Sequence, residues 1–439
     1  MTLMSEMNRT KTEARKNKMH RRKWQHVLLA ALMLLMGHAS SIAKPTTVTV
    51  LLYGTQNKFT ITEEIARLRA PAGVLTTRQF DIALDAAQMN LSPLASQLSH
   101  ISDKLAFSDW LRFKLATETA KKIWKPNSDR VLGSIAILRA MGYNAVGVQQ
   151  MPSGDWGLAI EITQKVYFAT SFSKAEHKYC IYNLSLSAMD RLSDTQKSTI
   201  LYDANIDANG LPKPAAASLK PVDLADAGAP LLPESTERKT LQWTFESQAY
   251  KLPVEINKNL LKYFADYPQV DLDVYFKQPV GSAAKTKVVD ALGAMLKEKK
   301  LSGESAINFL LAFCHKAFMY QDDAKTLRGE HSNFVEETLV SNRSDCEDRT
   351  ILLSALVRDL LGYNAVGLEF DNHVALAVEV PNVNSKDGTA YKYGGANYIS
   401  CDPSFIGGSL GDVQPSYKGV TPKRIIPAAK AKVSLQSDR

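Results

Sequence analysis

The sequence predicts an α+β fold, on two observations. The hexapeptide Gly142-Tyr143-Asn144-Ala145-Val146-Gly147 recurs unchanged as Gly362-Tyr363-Asn364-Ala365-Val366-Gly367. Each copy follows an apolar stretch of helical pattern, Val131 to Met141 and Ile351 to Leu361, and precedes an alternating strand, Leu158 to Ile162 and Leu376 to Val380. Helix, turn and strands recurring together predict one domain in tandem. The second observation is the pattern within the second half. Leu241 to Phe245 and Tyr250 to Ile256 alternate like strands, and Val288 to Lys299 and Ala306 to Phe318 read as helices. The helix after Cys346 sets Leu352, Ala355, Leu356 and Leu360 on one face. Strands beyond it carry His373 and Asp402, so a helix packs on an antiparallel sheet.

Composition places the chain among ordinary globular proteins, with 45% hydrophobic and 22% charged residues. The first 25 residues are rich in Lys and Arg, the run Val27 to Met36 is apolar, and Ser41 and Ala43 put small residues at a cleavage site. This layout predicts a secretory signal peptide over 1–43 and export to the periplasm or the medium. Ten apolar residues fall short of the roughly 20 that span a bilayer, so no stable membrane span is expected after cleavage. The formal charge is +8, but residues 1–43 supply most of it, which removes the main argument for a nucleic-acid partner.

Asp207 to Arg238 is dense in Pro, Ala, Gly and Asp and reads as a linker. The predicted map is therefore a signal peptide over 1–43, a first repeat over 44–205, a linker over 206–240 and a second domain over 241–439. Asp203, Asn205 and Asp207 have the spacing of a calcium loop, but Ala208 and Pro214 stand where that loop needs Gly and Glu. No phosphate loop or zinc signature is present. Cys180, Cys314 and Cys401 lie in apparent strands or an apolar helix, as buried thiols or with one disulfide among them. His315 in an apolar helix reads as structural, and His331 as part of a solvated loop. Lys386 to Tyr398 reads as a hairpin.

Cys346 stands apart. In Arg343-Ser344-Asp345-Cys346-Glu347-Asp348, Ser344 or Asp345 can cap a following helix, which turns the sulfur toward the positive end of the helix dipole and toward free backbone N–H groups. A thiol needs such help, plus a base, to act as a nucleophile. His373 opens a strand 27 residues later, and Asp402 stands in Ser400-Cys401-Asp402-Pro403 another 29 on. A carboxylate that orients the imidazole, and an imidazole that takes the thiol proton, would complete a catalytic triad. A thiolate paired with imidazolium is the charge state expected on this reading.

Asp345-Cys346-Glu347-Asp348 at a helix start, His373 opening a strand and Asp402-Pro403 ending the next resemble the core motif of the transglutaminase-like superfamily over roughly residues 300 to 410. Ser344 replaces the usual Gly, and Val374, Ser400 and Cys401 depart from the common neighbours. The resemblance implies a papain-like fold, catalysis by Cys346, His373 and Asp402 without a cofactor, and a thioester intermediate. In the first half the positions of Cys346 and His373 fall on Pro126 and Asp155, and Asp402 has a loose counterpart near Asn183, so that half is a degenerate copy without the chemistry. The expected activity is cleavage of an amide bond in a peptide, protein or cell-envelope polymer. Acyl transfer from glutamine to an amine shares the same intermediate, and a non-enzymatic binding protein of the same fold is the alternative from another class.

Overall fold

The computed structural model describes residues 45–70, 77–151, 155–190, 201–204, 219–228, 230–278, 280, 285–322, 331–381 and 390–431. The leader and the first part of the Pro/Ala-rich stretch lie outside these. Met1–Thr46 and Ile61–Glu63 group apart from the compact unit formed by Thr47–Thr60 and Glu64–Arg439; of the former only 45, 46 and 61–63 are described. Among the described residues no helix is long and apolar enough to cross a membrane. The rest of this section concerns the larger unit, which is mixed α+β with antiparallel sheets.

In the first half, helices α1 (Thr77–Lys104), α2 (Asp109–Ile123) and α3 (Asn127–Ala140) pack together and precede strands β1 (Ala145–Met151), β2 (Asp155–Glu161), β3 (Ser171–Lys174), β4 (His177–Asn183) and β5 (Leu201–Ala204). The main path of the sheet is β3-β4-β2-β1-β5. α2 starts where the Ser108 hydroxyl accepts from the Leu111 N–H. Residues 219–228, in the stretch read as a linker, are packed structure: Val222, Leu224 and Ala227 are fully buried, and Val222 bridges to Ile162. The three apolar side chains outweigh the polar composition around them.

The second half opens with β6 (Thr236–Phe245) and β7 (Gln248–Asn257), an antiparallel hairpin that turns through Glu246 and Ser247 at positive φ. Leu241, Trp243, Leu252, Val254 and Ile256 are buried, so the sequence alternation marks the inward face. The predicted helix over 288–299 is a π turn at Lys285–Val289 followed by a helix at Asp290–Glu298. Helix α4 (Leu272–Lys277) precedes that stretch, and α5 (Gly303–Lys316), the short parallel strands β8 (Met319–Tyr320) and β9 (Arg343–Ser344), and α6 (Cys346–Leu356) follow it. Strands β10 (Ala365–Glu369), β11 (Val374–Val378), β12 (Ala390–Tyr393), β13 (Ala396–Ser400) and β14 (Arg424–Pro427) form a sheet of order β12-β13-β11-β10-β14. That order repeats the first sheet strand for strand. α6 is buried all round from Asp348 to Leu356 and has no single apolar face, because it lies between this sheet on one side and α5 with the helix Val335–Val340 on the other.

The repeated hexapeptide has a physical reason at both sites. Gly142 and Gly362 end their helices at φ +93 and +68, a left-handed conformation that favours glycine. Asn144 and Asn364 bond Glu161 and Glu379 on the neighbouring strand. Gly147 lies under Phe80 and Gly367 under Phe276, where a Cβ would come within 2.6 Å of the ring in each case. Gly147 faces Leu158 across its sheet, as Gly367 faces Leu376.

All four cysteines are free and buried, which disposes of a disulfide. Burial pushes Cys180 up to about 11 and Cys314 to about 12. Both titrate at higher pH when folded than when unfolded, so their contribution to stability is complete below about pH 8.5 and is lost as pH rises toward 11 for Cys180 and 12 for Cys314. Thermal melts should show a midpoint falling over that window. Each thiol accounts for up to about 1.4 kcal/mol per pH unit. Cys314→Ala should flatten the fall, and an unchanged midpoint from pH 8 to 11 would contradict the burial.

Candidate active site

Three elements bring Cys346, His373 and Asp402 into one buried place. α6 begins at Cys346 because the Asp345 side chain accepts from the Asp348 N–H at 3.1 Å, while Glu347 and Asp348 occupy its first turn. Of the two caps the sequence allowed, Asp345 is the one used. Ser344 instead accepts from Arg349 Nε at 2.9 Å. Thr350, one turn into α6, donates to the Val374 carbonyl at 3.0 Å and ties the helix to the start of β11. His373 is the residue immediately before that strand, and the Val374 N–H lies within reach of the Cys346 sulfur. The three residues are 6, 7 and 5% exposed.

His373 Nε2 meets Asp402 Oδ2 at 2.8 Å. Asp402 lies just beyond β13, after Cys401, whose N–H extends the pairing to Leu376. Cys401 is fully buried. Both carboxylate oxygens of Asp402 are used as acceptors. Oδ2 also accepts from Gln414 Nε2 at 2.9 Å, and Oδ1 accepts from the Ser404 N–H at 2.8 Å. His315, in α5, faces the Asp402 carbonyl through Nε2 at 3.2 Å, and burial holds its imidazole below the usual range and therefore neutral. Nε2 then carries the proton and donates. This histidine buttresses the backbone of the aspartate.

Sequence reasoning missed Gln414 and Tyr417. They sit on the short 3-10 turn Pro415–Tyr417 and the residue before it, and the Tyr417 ring stacks on His373 at 4.8 Å. Neither belongs to a helix or strand long enough to show a period.

The charge state of Cys346 differs from the expected thiolate. Its thiol donates to Glu347 Oε2 at 3.0 Å, and its pKa is pushed well above the ordinary thiol value. Burial is the largest cause, followed by the negative charge and hydrogen bond of Glu347 and the charge of Asp345; only the Val374 N–H opposes them. A helix start is worth roughly 0.3 to 1 kcal/mol, too little to outweigh desolvation and two carboxylates. In this arrangement the sulfur is protonated and bonded to Glu347 rather than to His373.

In the first half, Pro126 caps α3 without a side-chain bond, Asp155 begins β2 and Asn183 ends β4. Tyr182 pairs with Leu158 in register, so Asn183 occupies the place that Asp402 holds in the second sheet. A cavity of about 370 Å³ opens there, lined by Asn127, Asp155, Trp156, Asn183 and Asp190 among others. It contains neither thiol nor imidazole. No group of His, Cys, Asp or Glu among the described residues has the arrangement of a metal site.

No protein-family model, curated protein or solved structure matches the chain.

Proposed function

We propose that the protein is a cysteine hydrolase of the transglutaminase-like, papain-like type that cleaves an amide bond through a thioester at Cys346. The observation that carries this reading is the 2.8 Å bond between His373 and Asp402 beside a cysteine at a helix N-terminus. Asp402 occupies Nε2 of the imidazole, which leaves Nδ1 to take the thiol proton. The thiolate attacks the amide carbonyl, His373 passes the proton to the departing amine as the C–N bond breaks, and the acyl group stays on sulfur. Water, deprotonated by His373, then releases the acid and restores the thiol. Backbone N–H groups at the start of α6 are the donors available to the oxyanion. An amine in place of water would give acyl transfer from the same thioester.

The equal strand order of the two sheets supports reading the first half as a degenerate copy, one that contributes a binding surface and no chemistry. The leader pattern supports export, where peptides and envelope polymers are the available amides. The test is incubation with a panel of peptides and glutamine-containing proteins, followed by mass spectrometry. Release of a new amine, with a gain of water by the acyl product, is the expected result, and it should be absent with Cys346→Ala. Incorporation of an added amine would favour transfer. No change in any substrate would favour a binding protein that keeps the fold without turnover.

A further inference from the structure

Ser400 and the Gln-Pro pair at 414–415 lie at this site without a part in the triad. Ser400 Oγ donates to the Asp412 carbonyl at 3.0 Å, and the Gly411 N–H donates to the Ser400 carbonyl at 2.8 Å. These bonds tie the loop after Asp402 back to the end of β13. Pro415 restricts the residue before it to extended or polyproline-like backbone, and Gln414 adopts it at φ −53 and ψ 136. The Tyr417 N–H then donates to the Gln414 carbonyl at 2.9 Å and closes the turn. Two side chains of one short turn therefore reach the histidine together. The Tyr417 ring stacks on its face, and the half-buried Gln414 amide meets the Asp402 oxygen that the imidazole uses.

Gln414 Nε2 lies 2.9 Å from Asp402 Oδ2 and 3.4 Å from His373 Nε2. The amide nitrogen fits there and its oxygen does not, because an oxygen would face the carboxylate. His373 Nε2 directs its own proton at Asp402, so the imidazole and the amide are two donors sharing one acceptor. We propose that Gln414 is a positioning residue of this site, which holds the Asp402 carboxylate at the edge of His373 and takes up part of its charge. This rests on the hydrolase reading above. A carboxylate bonded on that oxygen by the imidazole alone concentrates its charge on the ring and stabilises the protonated form. The neutral amide draws some of that charge away. His373 is then free to take the thiol proton over a wider range of pH than the pair alone would allow. The other titratable groups around the ring are Cys346 with Glu347 on α6, Asp371 paired with Lys423, Tyr391 on β12, Tyr417 on the turn, and His315 of α5 behind Asp402. All of them are unchanged in the variants below.

Steady-state kinetics across pH on the full chain, in Gln414→Met and Gln414→Lys, separate this role from a structural one. Methionine keeps the length and loses the donor. Its acid limb of kcat/KM should move to higher pH by roughly half a unit to one unit, since two or three N–H donors shift a carboxylate itself by about two. Below that limb kcat/KM should fall by about threefold to tenfold, while the plateau at higher pH changes little. Lysine brings a donor with a positive charge and should move the limb to lower pH. A turn that merely packs would lower the plateau in both variants and leave the limb fixed. Alkylation of Cys346 by iodoacetamide over the same pH range needs no substrate, and its limb should shift in the same two directions. If the alkylation limbs move apart as expected and no substrate is cleaved, the hydrolase reading fails and the role of Gln414 stands. If both variants move the alkylation limb the same way, or neither moves it, the inference is overturned whatever the turnover.

Discussion

Asp402→Asn is expected to lower kcat/KM by on the order of 10⁴, and Cys346→Ala by on the order of 10⁶, the scale seen when a triad loses its orienting carboxylate or its nucleophile. Geometry explains why the conservative amide is so damaging. Asp402 accepts from His373 Nε2 and Gln414 Nε2 on one oxygen and from the Ser404 N–H on the other. An asparagine has one carbonyl oxygen, so either amide orientation sets an N–H against another N–H. If the amide faces His373, the imidazole reverses its tautomer and presents a proton where the thiol needs a base. The check is steady-state kinetics across pH on any substrate found by the panel. Near-normal turnover by Asp402→Asn would remove the aspartate from the mechanism.

Arg349→Leu is expected to cost about 3 to 5 kcal/mol of stability, the largest effect anticipated for a residue outside the triad. The guanidinium is fully buried. Nε donates to Ser344 Oγ at 2.9 Å and Nη2 to the Phe318 carbonyl at 2.8 Å. Each hydrogen bond from a charged donor contributes roughly 1.5 to 3 kcal/mol, and leucine would leave both acceptors buried and unmet. Phe318 precedes β8 and Ser344 ends β9, so the arginine clamps the two short strands that lead into Cys346. Chemical denaturation gives the stability. A midpoint lowered by less than the equivalent of about 1 kcal/mol would mean the clamp is dispensable.

Much of this architecture was legible from the residues. The alternation of Leu241, Trp243, Leu252 and Val254 marks the inner face of a hairpin, and the repeated hexapeptide marks two helix ends running into two strands. Cys346 at a helix start and His373 at a strand start follow from Asp345 as a cap and from the apolar run Val374 to Val378. Other features were hidden for physical reasons. α6 was read as amphipathic from the spacing of Leu352, Ala355, Leu356 and Leu360, but Asp348, bonded to Asn333, and Arg349, bonded to Ser344 and the Phe318 carbonyl, are buried with the rest. Gln414 and Tyr417 reach the imidazole from an irregular loop, where no periodicity announces a side chain's direction. The charge state of the thiol was misjudged because the sequence shows the helix start and the histidine, whereas burial and the reach of Glu347 are properties of the fold. The packed strap of Val222, Leu224 and Ala227 was masked by the Pro and Ala around it.

The central claim is that Cys346 is a nucleophile served by His373. The most direct measurement is labelling of the protein with a panel of peptidyl acyloxymethyl ketones, followed by mass-spectrometric mapping of the modified cysteine in wild type and in His373→Ala. Such probes react with a thiol held beside its base and spare buried thiols such as Cys180, Cys314 and Cys401. The account predicts a covalent adduct on Cys346 alone, lost or slowed by about tenfold or more in His373→Ala, because the carboxylate of Glu347 that accepts the thiol is a far weaker base than the imidazole. Equal labelling of Cys346 with and without His373, or labelling of another cysteine while Cys346 stays unmodified, would contradict it.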